Sequence, residues 1–326
     1  MVKIEPGFST QHIWKLANKN RELVLGKFIC DDEELKKAAF EQLFESFGKL
    51  ATDPSILRFA LTQGKSVTGV LALQRSSWDS EHFGMGIGKS KVVLFCPEVP
   101  LAPRRLLIRE ALGRAKTCGL QEIFIRTNLN DMQTLHAIEA EGGFITDILL
   151  TFQWSLGRAF SGNFKIRGVD VVEADENDAE LLSKIARDVF RMDHFHGDPL
   201  LPQDKCHEVY AKWTRSCLSG LSDVVLAAKR KSEILGYVTC KIEQLGSRLG
   251  YGVIDLIGVA RAHLNKGVGS LLLSEALNWF ANRTCSVYVG TQATNIQALR
   301  LYEKFGFRSV LSEATSHFYI SLSTPS

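Results

Sequence analysis

Several groups of residues in this chain have types and spacing that could do chemistry. Tyr302 lies within NIQALRLYEKFGF. A phenol can give its proton to a leaving group, or can simply tie a helix into a core. Lys266-Gly267-Val268-Gly269-Ser270 follows the strand-like run DLIGV (255–259). Glycines let a backbone come close to a ligand, and the start of a helix offers unpaired N–H groups to phosphate oxygens. Lys266 adds a positive charge, although the same residues would also make a plain strand-to-helix turn. Asp255 stands four residues before Val259, so strand alternation puts both on one face. Its carboxylate could take a proton there or pair with a nearby Arg or Lys. His194, His196 and Asp198 follow an amphipathic helix. The intrinsic pKa of His196 suits a base, while hydrogen bonding to a sugar and loop capping are the alternatives. Trp78 and Phe83, in WDSEHFG, could stack on a sugar or a base, or seal a domain edge.

The elements that must hold these residues follow from local pattern. Asn295 comes after the strand-like Val287-Tyr288-Val289 and is a good N-cap. From Ile296 the apolar residues recur at helical spacing, and Gly306 ends the helix. A helix from Gly267 to about Asn282 precedes that strand, and a single strand over 251–259 precedes the glycines. The chain also repeats itself. LLIREAL (106–112) matches LLLSEAL (271–277) at an offset of 165, and IFIRTNLNDMQTLHAIEAEGG (123–143) matches VYVGTQATNIQALRLYEKFGF (287–307) at 164. The repeat predicts a tandem duplication of one mixed α/β domain, divided as 1–155 and 156–326 with a linker over 155–163. Its two copies differ where the chemistry is. Ala102 and Arg104 stand opposite Gly267 and Gly269, Ile138 stands opposite Tyr302, and the cap Asp131 stands opposite Asn295. A turn and a tyrosine that served structure alone would be needed in both copies.

Val259, Gly267, Gly269, Asn295, Ala298, Tyr302, Gly306 and Phe307 are spaced as in the GCN5-related N-acetyltransferase (GNAT) superfamily, which the second half resembles. One position departs from that family's signature: Leu264 stands where it has Gln or Arg. The resemblance implies tandem GNAT folds with mixed, mostly antiparallel sheets, the N-terminal copy degenerate. It implies acyl-CoA as co-substrate, held by Gly258, Val259, Lys266, Gly267, Val268, Gly269, Ser270 and Asn295. Backbone N–H groups near Gly258 and Val259 would polarise the thioester carbonyl, Tyr302 would act as general acid, and Asp255 is the candidate base. WDSEHFG, Phe195-His196-x-Asp198, Tyr210-x-x-Trp213 and the terminal SHFYI are further similar to the acyltransferases of nucleotide-linked amino sugars. That likeness implies a dTDP-linked amino sugar as acceptor, acetyl or 3-hydroxybutyryl as the acyl group, and Trp78, Phe83, His196 and Asp198 as acceptor contacts. A different small amine as acceptor, or a non-catalytic acyl-CoA-binding module, are the alternatives.

Composition narrows the class. The chain has 326 residues and a formal net charge of +3, with basic residues dispersed, which argues against nucleic acid as a partner. Seven cysteines, none in CxxC spacing, read as reduced small hydrophobes rather than a disulfide frame or a metal site. MVKIEPGFSTQHIW lacks the apolar core of a signal peptide, and no stretch approaches the ~18 apolar residues of a membrane helix. The expectation is a cytoplasmic enzyme, monomeric or a small homo-oligomer, with no metal and no membrane partner.

Overall fold

The computed structural model describes residues 2–20, 33–155, 164–245 and 249–320. The chain falls into two compact units, Met1–Ile148 with Ser312–Ser326, and Leu149–Leu311. Elements of the first half are β1 (Val2–Pro6), α1 (Thr10–Lys19), α2 (Glu33–Thr52), β2 (Ile56–Gln63), β3 (Ser66–Arg75), α3 (Ser77–Phe83), β4 (Ile87–Phe95), α4 (Leu101–Thr117), β5 (Glu122–Asn128), α5 (Met132–Ala140) and β6 (Phe144–Ser155). The second half holds β7 (Asp170–Glu173), α6 (Ala179–Val189), α7 (Gln203–Ser216), β8 (Val224–Arg230), β9 (Glu233–Leu245), β10 (Leu249–Ile254), β11 (Ile257–Val259), α8 (Val268–Phe280), β12 (Ser286–Gln292), α9 (Ile296–Lys304) and β13 (Arg308–Tyr319).

In the first unit β1 to β4 pair antiparallel in order, β4 pairs parallel with β5, and β5 pairs antiparallel with β13. In the second, β7 to β10 pair antiparallel in order, β10 pairs parallel with β12, and β12 pairs antiparallel with β6. The two sheets are therefore built to one plan. The boundary expected at 155/156 differs from these units, because the last strand of each half completes the sheet of the other unit. Ser155 to Leu149 run opposite Ser286 to Gln292, and Glu313 to Tyr319 run opposite Asn128 to Glu122. Of the expected linker over 155–163, Ser155 ends β6 and the rest lies outside the described residues.

Each unit has its own core. Leu107, Ile108 and Ala111 of α4 and Ile138 of α5 pack on Leu71, Leu73 and Ile123 in the first. Leu272, Leu273 and Phe280 of α8 pack with Val287, Phe152 and Tyr302 in the second, and α6 adds Leu182 and Ala186 against Tyr237. The expected caps form: Asp131 accepts from Thr134 N–H, and Asn295 accepts from Ala298 N–H. Gly142 and Gly306 end their helices at φ +92° and +81°.

The strand expected over 251–259 is broken at Asp255–Leu256. The Leu256 N–H donates to the Thr239 hydroxyl at 3.0 Å rather than to a backbone carbonyl, so the ladder is interrupted there. Strand β7 is short, and the chain closes on the single long strand β13. Cys96, Cys206, Cys217 and Cys240 are buried free thiols, while Cys118 is exposed and Cys285 half-buried. Among the described residues no helix is long and apolar enough to cross a membrane.

Candidate active site

The glycine turn forms as the residues require. Gly267 has φ +83°, a conformation that side chains resist, and it caps α8. The first helical hydrogen bond runs from Leu271 N–H to Gly267 O, at 3.0 Å. The N–H groups of Val268, Gly269 and Ser270 thus have no partner within the helix and carry its positive dipole end. Gly269 is free of backbone strain; a Cβ there would meet Leu301 Cδ2 at 3.4 Å and Val259 Cγ2 at 3.8 Å. Lys266 departs from expectation. Its ammonium donates to Ala262 O at 2.8 Å, and the residue does not line the cleft beside the turn.

That cleft has a volume of about 700 Å³. It exists because the sheet opens. Strands β10 and β12 run side by side up to the pair Ile254–Val289, after which β11 pairs only with β9. Hydrogen bonds from Ala260 N–H to Leu235 O and from Thr239 N–H to Leu256 O fix the alternation of this ladder. Positions 256, 258 and 260 face β9, so Ile257 and Val259 turn their N–H groups away from it. Gly258 lines the cleft, but its own N–H points at β9. The outward N–H groups at this point are therefore those of its two neighbours, Ile257 and Val259.

Tyr302 borders the opening from α9. Its ring is 2% exposed and lies 5.8 Å from Phe152 and 5.7 Å from Phe307, centroid to centroid. The hydroxyl has no hydrogen-bond partner among the described residues, and burial pushes its pKa well above the usual phenol range. Across the cleft stand Phe190, Arg191, Met192 and Asp193 beyond the end of α6, with Tyr210 of α7. Arg261 holds that wall to the turn region, giving Nε and Nη2 to Asp188 O at 3.1 and 2.8 Å. Asp193 Oδ1 accepts from Phe195 and His196 N–H, and Oδ2 lies 2.5 Å from His196 Nδ1. His207 stacks on His196 at 5.1 Å; burial, then the charges of Arg191 and His196, lower its pKa.

The matching place in the first unit is filled from within. Arg104 is 2% exposed. Its guanidinium bonds Asp131 Oδ1 at 2.8 Å, Thr134 Oγ1 at 2.6 Å and the carbonyls of Val99 and Cys96 at 2.9 and 3.2 Å. It lies over the Phe95 ring at 4.7 Å. A guanidinium thus occupies the ground between turn and helix cap that stands open beside Gly269 and Asn295.

Of the expected cofactor residues, Gly258, Val259, Gly267, Val268, Gly269, Ser270 and Asn295 line one cleft with Tyr302. Asp255 does not line it. The break in the strand turns the residue away from the Val259 face, near enough to Lys241 and Cys217 to act on both through its charge. The expected acceptor contacts do not line it either. Phe83, His196 and Asp198 are packed inside, at 4%, 6% (side chain) and 0% exposure. Trp78 is exposed in the first unit, stacked on His82 at 5.0 Å. The wall residues Phe190, Arg191, Met192, Asp193 and Arg261 were missed. Tyr210 alone carried a signal, as part of Tyr210-x-x-Trp213.

Sheet plan, opened strands, glycine turn and tyrosine together define an acyltransferase fold, and comparison with known proteins agrees. Residues 186–307 match the acetyltransferase (GNAT) family pattern. That match spans most of the second half, and the protein is an acyl-CoA-dependent N-acyltransferase. It is similar, at 26% identity over 294 residues, to the spore coat polysaccharide biosynthesis protein SpsD of Bacillus subtilis (strain 168); the match covers 88% of this chain and 96% of that one. A GCN5-related N-acetyltransferase from Sphaerobacter thermophilus shares the fold at TM-score 0.65 and 14% identity, over 99% of this chain and 98% of its own. A tandem GNAT protein from the clavulanic acid biosynthesis pathway does so at TM-score 0.57 and 13% identity, over all of both chains. The fold is accordingly a tandem GNAT fold.

Proposed function

We propose that the second unit transfers a short acyl group from acyl-CoA to the amine of a nucleotide-linked deoxyamino sugar, dTDP-linked in the form we favour. The observation that carries the transfer is the convergence, in one cleft, of free N–H groups at the α8 turn, outward N–H groups on β11 and the Tyr302 hydroxyl. The cofactor diphosphate sits on the N–H groups of Val268, Gly269 and Ser270. Pantetheine runs along β11, and the N–H groups of Ile257 and Val259 stabilise charge on the carbonyl oxygen as the neutral amine attacks. An N–C bond forms, the C–S bond breaks, and the amine gives up a proton to solvent. Tyr302 gives its proton to the departing sulfur and is reprotonated from solvent. Burial raises the pKa of a phenol, but it raises that of a thiol as well. Cys206 and Cys217 of this protein are pushed up by burial to about 12 and 11. A thiolate formed beside the buried phenol is shifted in the same direction, which narrows the gap between the two groups.

The acceptor class rests on the full-length similarity to a polysaccharide biosynthesis protein and on the motifs shared with amino-sugar acyltransferases. A panel of dTDP-amino sugars with acetyl-CoA, read by thiol release and product mass, tests it. We expect an N-acylated sugar nucleotide. Turnover confined to other small amines would overturn the acceptor while leaving the transfer intact.

A further inference from the structure

We propose that Phe190 closes the acyl end of the cleft and restricts the transferred group to short acyl chains, excluding those as long as hexanoyl. The inference rests on the acyl-CoA reading above. The order of residues along the cleft sets its direction. Gly269 of the turn lies against Val259: a Cβ added there would stand 3.8 Å from Val259 Cγ2. Gly258, the next residue back along β11, lies against the end of α6: a Cβ there would stand 3.2 Å from Val189 Cγ2 and 3.3 Å from Phe190 Cζ. A cofactor anchored by its diphosphate at the turn and laid along β11 brings its acyl carbon up to the Phe190 ring.

That ring has little room to yield. It stacks on Tyr210 at 4.9 Å, and Tyr210 stacks on Trp213 at 5.8 Å. Tyr237 meets it edge-on at 6.5 Å and is itself buried, with its hydroxyl 2.7 Å from that of Thr214. The backbone is fixed as well, by Phe190 N–H to Ala186 O at 3.2 Å and by the Arg261 clasp on Asp188 O. On the far side of β11, Gly236 packs against Gly258 O so closely that a Cβ would come within 2.5 Å. The acyl group thus meets an aromatic wall backed by two further rings and a strand.

Calorimetry on the full chain with CoA, acetyl-CoA and hexanoyl-CoA tests this without knowledge of the acceptor. Each protein's acyl-CoA affinities are compared with its own affinity for free CoA. In the unaltered protein we expect hexanoyl-CoA to bind about tenfold or more weakly than acetyl-CoA, the scale at which a filled pocket rejects added methylenes. Phe190→Ala should bring the two within about threefold. Phe190→Leu, which removes the ring edge but keeps an apolar side chain, should narrow the gap in part and serves if the alanine variant does not fold. Equal binding of both acyl-CoAs by the unaltered protein overturns the size limit. An unchanged gap in a folded variant that still binds CoA removes Phe190 as the wall. Absence of any CoA binding in the unaltered protein fails the cofactor reading itself, a separate outcome.

Discussion

Replacing Tyr302 by Phe removes one hydroxyl and keeps the ring among Phe152, Phe305 and Phe307. A core hydroxyl with a bonded partner would cost about 0.5–1.5 kcal/mol on removal. This hydroxyl has no such partner among the described residues, so the melting temperature should barely change. As general acid its loss should lower the single-turnover rate roughly 10²-fold with acyl-CoA affinity kept. A folded variant with a near-normal rate would leave the sulfur without its proton donor. At this scale the sequence was informative where the two copies differ, since Ile138 and Arg104 against Tyr302 and Gly269 are contrasts within one chain. It was uninformative where position depends on distant contacts. Asp255 sits at a break created by the Thr239 hydroxyl on another strand, and strand alternation counted along the chain has no access to that bond. Phe190, ending an amphipathic helix, reads like any other core residue until Gly258 is found against it.

The strand-turn-helix element from β11 to α8 separates two reasons for having glycine. Gly267→Ala forces a side chain into φ +83°, at a cost of about 1–2 kcal/mol in stability. Gly269→Val meets no such strain; its branches instead enter the space beside Val259 and Leu301, which the proposed diphosphate would need. We expect that variant to fold and to lose CoA affinity by roughly tenfold or more, since the N–H groups can no longer be reached closely. The matching Arg104→Val should do the reverse. CoA affinity should stay near normal, while stability falls on the order of 3 kcal/mol as Asp131 loses its buried cation. Denaturation midpoints and calorimetry on the same preparations check all three, and unchanged affinity for Gly269→Val would dissociate the turn from the cofactor. The helices here were readable in advance from caps and spacing, because Asp131, Asn295, Gly142 and Gly306 act on their own neighbours. The short β11 was not, since it is defined by which strand it leaves.

For the whole molecule, the buried thiols set an alkaline limit. Burial raises Cys206 and Cys217 from 9.0 to about 12 and 11. The unfolded chain ionises its thiols first, so it binds fewer protons than the folded one above pH 9. The stability these groups contribute is fully present below that pH and is lost as pH rises towards 11 and 12. Denaturant midpoints should therefore fall between pH 8.5 and 10.5, and a flat profile would contradict the burial. The tandem plan was legible because duplicated segments keep their pattern. Which sheet each closing strand joins was not, because β6 and β13 occupy equivalent places in the two copies and their patterns suit either. A protein ended at Leu311 should lose solubility, since it leaves β5 with an open edge; sedimentation of the shortened protein measures this. The same pairing sets a timetable for synthesis. Between Asn128 and Tyr319 the ribosome must add 191 residues, which takes roughly 10–40 s at ordinary rates. Throughout that interval β5 waits for a strand that does not yet exist, and the yield of active enzyme depends on what else in the cell meets that edge first.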